Sequence, residues 1–457
     1  MIEDRRCQRL NGREQRRGRY VLYWMQQSQR ASFNPALEYA IQVANREGLP
    51  VLVAFGLTDD YPDANLRHYR FMLEGLRDLA STLEERGIGC VVRRGAPVEV
   101  AVALADDAAL VVCDRGYLRH QKAWRAEVAR RVPCALVQVE GDVVVPIEAA
   151  SDKAEVGART LRPKLHRLWD DHLIPLEDAA VRRSARGLRI ASDVDLADIE
   201  GVLEPMRLDR SVPPVRRFRG GTGAARARLR AFLETRLQGY AEGRSEPAAS
   251  QSGMISPYLH FGQISPVEIA LAVRTAPAGA AADRRAYLEE LIVRRELAAN
   301  FVHFTPRYDS YECLPTWARI TLEQHRADPR AHSYGRDRLV AAETHDRYWN
   351  AAMREMVHTG FMPNPMRMYW AKKILDWSPD PETAFDTSLR LNNRYFLDGR
   401  DPNSYANVAW IFGLHDRPWP ERPVFGKVRY MNARGLERKF DTAAYLRAVE
   451  ELVAAER

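Results

Sequence analysis

Apolar positions divide the chain into two unlike halves. From residue 20 to 147, short apolar and β-branched runs alternate with amphipathic stretches such as Tyr69 to Leu83 and Lys122 to Arg131. The runs are Tyr20 to Tyr23, Val51 to Phe55, Cys90 to Val92, Leu110 to Val112 and Ala135 to Val137. Strand-length runs separated by helix-period segments predict a Rossmann-like parallel sheet with helices on both faces. From about residue 223 the strand pattern stops. Helical periodicity marks Ala224 to Leu237, Val267 to Arg274, Ala286 to Phe301, Arg347 to Val357, Met366 to Trp377 and Thr442 to Val453. An α/β domain over 20–147 and an all-helical domain over 223–457 are therefore expected. Residues 148–222 lose periodicity and end in the Pro-, Gly- and charge-rich run Val212 to Gly221, which reads as an interdomain connector. Residues 1–19, where seven arginines from Arg5 to Arg19 face one acid, Glu14, read as a solvated basic arm.

Composition narrows the class. A chain of 457 residues exceeds what one core usually organises, and 46% hydrophobic with 28% charged residues is ordinary for a folded globular protein. No apolar run approaches the roughly 20 residues that span a bilayer, and the basic N-terminus lacks a secretory h-region. Five cysteines without CxxC spacing fit a reducing cytoplasm. A net charge of +7 permits a polyanionic partner. The first strand is followed by neither GxGxxG nor GxxxxGK[ST], and the chain holds no HExxH and no GxSxG, so nucleotide-cradling, metallohydrolase and serine-hydrolase readings lack their residues.

Three constellations could carry chemistry. Six of nine tryptophans, Trp317, Trp349, Trp370, Trp377, Trp410 and Trp419, fall in the helical domain, all but Trp317 in its second half. Trp370 and Trp377 lie about 10 Å apart on one helical face, in a stripe with Met366 and Ile374 that would also suit plain core packing. In the segment from Leu288 to Leu297, an α-helical wheel puts Glu290 with the apolar Leu297 and Phe301, and Glu296 opposite. A carboxyl among apolar neighbours resists ionisation and can donate a hydrogen bond at neutral pH, whereas an i, i+4 pair of Glu290 with Arg294 would simply be a surface ion pair. The polar turn Asp398 to Asn403 follows Asn392-Asn393, and Trp410, Trp419, Phe425 and Tyr430 interleave with arginines and lysines, a mixture suited to exposed bases.

Taken in order, the strings RYVLYWMQQSQR from Arg19, RHYRFMLEGL from Arg67, TLRPKLHRLW from Thr160, SPYLHFGQISP from Ser256, ELIVRRELAANF from Glu290, THDRYWNAAMREMVHTG from Thr344, MRMYWAKKILDW from Met366, LNNRYFLDGRDPNSYANVAWIFGLHDRPW from Leu391 and FGKVRYMN from Phe425 resemble the class II cyclobutane pyrimidine dimer (CPD) DNA photolyases, from about Tyr20 to Leu446. The resemblance implies an N-terminal antenna-type domain and a helical domain holding FAD, active as FADH⁻, with a second antenna chromophore of unknown identity possible in the family. It implies light-driven repair of pyrimidine dimers in DNA. Excited FADH⁻ passes an electron to the flipped-out dimer, whose ring splits before the electron returns.

By the same resemblance, Tyr240, Arg244, Ser252, Gly253, Met254, Ile255, Ser256, Arg294, Arg367, Asp398 and Asn392 belong to the flavin site. Arg367 and Asp398 pair beside the ring, and Asn392 approaches its N5. Glu290, Met368, Trp410 and Trp419 meet the dimer, Glu290 as a neutral donor. Trp370, Trp377 and Trp349 form a relay that reduces oxidised flavin in light, Trp370 nearest to it. The implied setting is a cytoplasmic monomer that acts on damaged DNA, nucleoid-associated if bacterial, with no membrane and no obligate protein partner. Departures are Phe361 to Pro365 before MRMYW, Ser245 after Arg244, and Asn34-Pro35. A cryptochrome-like photosensor is the alternative; its usual long tail is not expected here, where eleven residues follow Leu446. An adenylating enzyme built on the α/β domain is a more distant one.

Overall fold

The computed structural model describes residues 2–249 and 251–456. Six strands form one sheet in the order β1-β6-β5-β2-β3-β4, with β1 Cys7–Arg9, β2 Tyr20–Trp24, β3 Val51–Leu57, β4 Gly89–Arg94, β5 Ala108–Asp114 and β6 Leu136–Val139. Strands β2 to β6 pair in parallel, and each of β2 to β5 is followed by a helix that returns the chain to the sheet. Alternation along the strands explains the layering. Val21, Tyr23, Val51 and Val53 pack with the helices Pro35–Glu47 and Leu66–Glu85, while Tyr20, Leu22, Trp24, Leu52 and Ala54 face Pro97–Ala105 and Arg119–Arg131. Both faces are covered, so continuous apolar runs are what such strands require. From Thr222 onward the described residues are helical apart from turns, loops and the isolated bridge Arg422–Gly426.

Residues 2–19 are not a free arm but are anchored to the sheet. Cys7–Arg9 pairs antiparallel with β6 and covers what would be an open edge. Arg6 is buried, and its guanidinium donates to the carbonyls of Glu140, Val143 and Val144 at 3.2, 3.2 and 2.6 Å. Three converging carbonyls supply the partners that an arginine needs to leave water. Sequence reasoning counted charge and could not see them.

Residues 148–222 are equally engaged. The helix Ala158–His172 packs Leu161 and Leu165 into the helical half, and Arg162 pairs with Glu289 at 2.6 Å. Further on, Val194, Ile199, Val202 and Met206 return to the sheet-side core. Buried cations join the halves. Arg67 donates to the carbonyls of Pro213 and Tyr395, and Arg30 pairs with Asp142 at 2.9 Å while reaching the Gly262 carbonyl. Gly262 sits at φ +64°, where a Cβ would lie 2.0 Å from the Gln27 carbonyl oxygen, so this contact between halves requires glycine.

Candidate active site

A cavity of about 790 Å³ opens in the helical half. Its size suits a dinucleotide-scale ligand. One wall is the loop Ser252 to Ser256, where the Ser252 hydroxyl accepts from the Met254 N–H at 3.2 Å, and Met254 takes φ +49° before helical Ile255. A left-handed residue next to a right-handed one is the backbone pattern of an anion-binding nest. Beside it, the Asp283 carboxylate accepts from the N–H groups of Gly239, Ala241 and Ala280, fixing the short turn that presents Tyr240 and Arg244.

A second wall carries an ion pair. Both terminal nitrogens of Arg367 meet the Asp398 carboxylate at 3.1 to 3.2 Å, Nε donates to the Met362 carbonyl at 2.9 Å, and the guanidinium lies 3.9 Å from the Phe396 ring centre. The polar turn places Asp398 by close backbone approach. A Cβ on Gly399 would fall 2.9 to 3.0 Å from the carbonyls of Asn392, Asn393 and Phe396. Met368 also lines the cavity, and exposed Arg422, Arg434, Arg438 and Lys439 line its outer part.

Glu290 lines the cavity but not as an apolar-face carboxyl. Its side chain is 36% exposed and accepts from Arg244 Nη1 at 2.6 Å. The buried glutamate is Glu296, 1% exposed, whose carboxyl accepts from the Val144 and Val145 N–H groups and is pushed up to about 8 by burial. The reversal has a local cause. Glu289–Arg294 is a π-helical turn between the helices Ala281–Leu288 and Arg295–Phe304, so the wheel drawn at 3.6 residues per turn loses register there. In a π-turn i faces i+5, and Arg294 pairs with Glu289 at 3.2 Å rather than with Glu290.

Other expected residues lie away from the cavity lining. Arg294 is half exposed beside Glu289, and Asn392 is buried with its amide donating to Asn393 Oδ1 at 3.1 Å. Trp410 and Trp419 hold the Arg429 guanidinium between them at 5.1 and 4.3 Å, and Arg417 covers Trp419 at 5.4 Å, so cations already occupy these ring faces. The remaining tryptophans do connect. Trp370 meets Phe396 edge-on at 6.4 Å, Trp349 Nε1 donates to the Trp370 carbonyl at 2.9 Å, and Trp349 lies 5.5 Å from Trp377. Trp377 then touches Tyr334 and His345 at 5.2 and 5.5 Å.

Sequence reasoning missed Arg217 and Glu355 on the cavity wall. Glu355 interrupts the buried stripe Tyr348, Ala352, Thr359 on the helix Arg347–Thr359, and a carboxylate in an apolar stripe was the available signal. A smaller cavity of about 60 Å³ lies between the halves near the C-terminal ends of β2 and β3, lined among others by Gln26, Gln29, Tyr61, Trp124 and Arg400. That volume takes a few waters.

Two kinds of relative share this architecture. The family profile described as DNA photolyase matches residues 21–182. The chain is 49% identical over 99% of its length, and 100% of the relative's, to a deoxyribodipyrimidine photo-lyase of Methanothermobacter thermautotrophicus, and 39% identical over 95% of its length, and 89% of the relative's, to one of Arabidopsis thaliana. A class III photolyase from Agrobacterium tumefaciens superimposes with a TM-score of 0.72 at 21% identity, covering 94% of this chain and 86% of that one. A Synechocystis sp. PCC6803 cryptochrome does so at 0.73 and 17%, covering 94% and 88%.

Proposed function

This chain belongs to the DNA photolyase family, and from that premise we propose that it repairs cyclobutane pyrimidine dimers in DNA under blue light, with class II chemistry. The observation that carries the reading is that one large cavity gathers an anion nest, the Arg367–Asp398 pair, Glu290 and Met368 beneath a rim of exposed cations. Reduced FAD held there would supply the photochemistry, lending one electron to the dimer and receiving it back once the two carbon–carbon bonds have split.

The residues divide the remaining work. The N–H groups and hydroxyls of Ser252 to Ser256 hold the phosphates. Arg367 offers a cation to the flavin ring while Asp398 fixes its orientation. Glu290 must leave Arg244 to act as a neutral donor to a pyrimidine carbonyl, and a DNA phosphate engaging Arg244 would release it. Arg422, Arg434, Arg438 and Lys439 bind the strand, so affinity falls with salt. A poorly paired lesion costs less to extrude than an intact pair, which adds selectivity. Trp370, Trp349 and Trp377 carry electrons from the surface toward the cavity.

The test is absorption of the purified protein followed by an illuminated assay on an oligonucleotide with one defined dimer, against a dark control. Flavin absorption with light-dependent loss of the dimer is expected. A colourless protein that stays so with added FAD, or flavin without repair, overturns the proposal, the latter in favour of sensing.

A further inference from the structure

Arg217 belongs to the segment that reads as a connector, yet its side chain reaches the cavity wall. Its backbone is anchored at both ends. The N–H donates to Glu456 Oε1 at 2.8 Å, and the carbonyl accepts from Arg228 Nη2 at 2.9 Å. The guanidinium lies 5.7 Å from the Phe361 ring centre, and Nη2 donates to Met254 Sδ, within the nest loop, at 3.2 Å. Nη1 is shielded from solvent and makes no hydrogen bond among the described residues. The Glu355 Oε1 atom is 3.9 Å from it, close enough for attraction and too far for a hydrogen bond.

Glu355 is 3% exposed and accepts from the Tyr445 hydroxyl at 2.8 Å. The charged and titratable groups facing it are Tyr445 from the C-terminal helix Thr442–Glu456, Arg217 from the connector and Arg367 from the helix Asn364–Trp377. Arg217 is faced in turn by Arg228, Arg236 and Glu456.

We propose that Arg217 is a cofactor-holding residue whose guanidinium turns its unpaired Nη1 into the cavity to engage the anionic phosphates of a dinucleotide bound there, and that Glu355, its share of that cation withdrawn, takes up one proton from solvent as the cofactor binds. This rests on reading the cavity as the flavin site. Two anions then compete for one shielded cation. The phosphates stay ionised, so the buried carboxylate is the one that neutralises. Burial already pushes Glu355 up to about 7, with Tyr445, Arg217 and Arg367 pulling it down. Removing the pull of Arg217 and adding a nearby anion both raise it further. No covalent bond changes.

The experiment is calorimetric titration of the flavin-stripped full-length protein with FAD at pH 8, in phosphate and in Tris, whose different ionisation heats count the protons exchanged. Between about half and one proton taken up per FAD is expected for the wild type, and close to none for Glu355→Gln, which keeps an acceptor for Tyr445. Above pH 7 the apparent Kd of the wild type should weaken by up to about tenfold per pH unit, and that of Glu355→Gln should stay flat. Arg217→Met should weaken FAD by at least about tenfold and reduce uptake, since Glu355 has already lost that cation before FAD binds; should it not fold, Arg217→Lys, which keeps the charge, must retain uptake. Uptake unchanged in Glu355→Gln, or absent from the wild type, overturns this inference and leaves the flavin site standing. Failure of FAD to bind at all overturns both.

Discussion

Replacing Glu296 by glutamine should remove a pH dependence from the stability of the whole molecule. Glu296 projects from the helical half into the loop after β6, where Oε1 accepts from the Val144 N–H at 2.6 Å and the Val145 N–H at 3.3 Å. Oε2, 3.4 Å from the Val145 nitrogen, is the oxygen left to carry a proton. Burial raises this carboxyl from 4.5 to about 8. A raised folded value means that the native state binds the proton more tightly. The stabilisation is therefore complete below pH about 4.5 and is lost as pH rises toward 8. At about 1.4 kcal/mol per pH unit, the full span is worth at most roughly 4–5 kcal/mol. Glutamine keeps an acceptor for both N–H groups and cannot ionise. Unfolding free energies of wild type and Glu296→Gln from urea titration should nearly coincide at pH 4 and diverge in the variant's favour by about 1.4 kcal/mol per unit from pH 5 up to pH 7.5. Glu296→Ala should lie about 1–3 kcal/mol below Glu296→Gln at every pH, because two buried donors lose their acceptor. Parallel curves for wild type and Glu296→Gln would refute the reasoning.

Three further outcomes are expected. Trp370→Phe should block photoreduction of oxidised flavin while sparing repair by chemically pre-reduced protein; normal photoreduction on flash illumination would show that the electron takes another path. Glu290→Gln should lower the repair quantum yield with FAD still bound, and Glu290→Ala should lower it further, since the donor is gone; an unchanged yield in the alanine variant discards the role. Arg6→Met keeps the apolar stem but strips three carbonyls of their donor, and should cost about 2–4 kcal/mol in urea unfolding; a loss below about 0.5 kcal/mol would mean that the N-terminal strand is only loosely seated.

The local reading of the chain succeeded where one element decides its own fate. Strands expected at Val51 to Phe55 and Leu110 to Val112 are β3 and β5, the first two residues longer at its C-terminal end and the second two residues longer at each end, because runs apolar on both faces admit few other uses. The Trp370 and Trp377 stripe is buried on one helix as its spacing required, and the loop from Ser252 and the Arg367–Asp398 pair share one cavity. The wheel failed at Glu290 and Glu296 because an inserted π-turn is invisible to a 3.6 period. The aromatic and basic run from Trp410 to Lys439 could not show that Arg429 would lie between the rings of Trp410 and Trp419.

By itself the sequence determined the two-part architecture, the strands of the sheet, the helices of the second half and, through its ordered strings, the family. Tertiary structure alone decided which glutamate is buried, that Cys7–Arg9 covers a sheet edge with Arg6 buried beside it, and that Arg217 and Glu355 meet on a cavity wall. The physical reason is range. Periodicity encodes how one segment meets water, within a few residues of itself. The fate of a charge depends on carbonyls, rings and counter-charges brought to it from distant parts of the chain: Arg6 finds its acceptors more than 130 residues away, and Glu355 finds Tyr445 90 residues on.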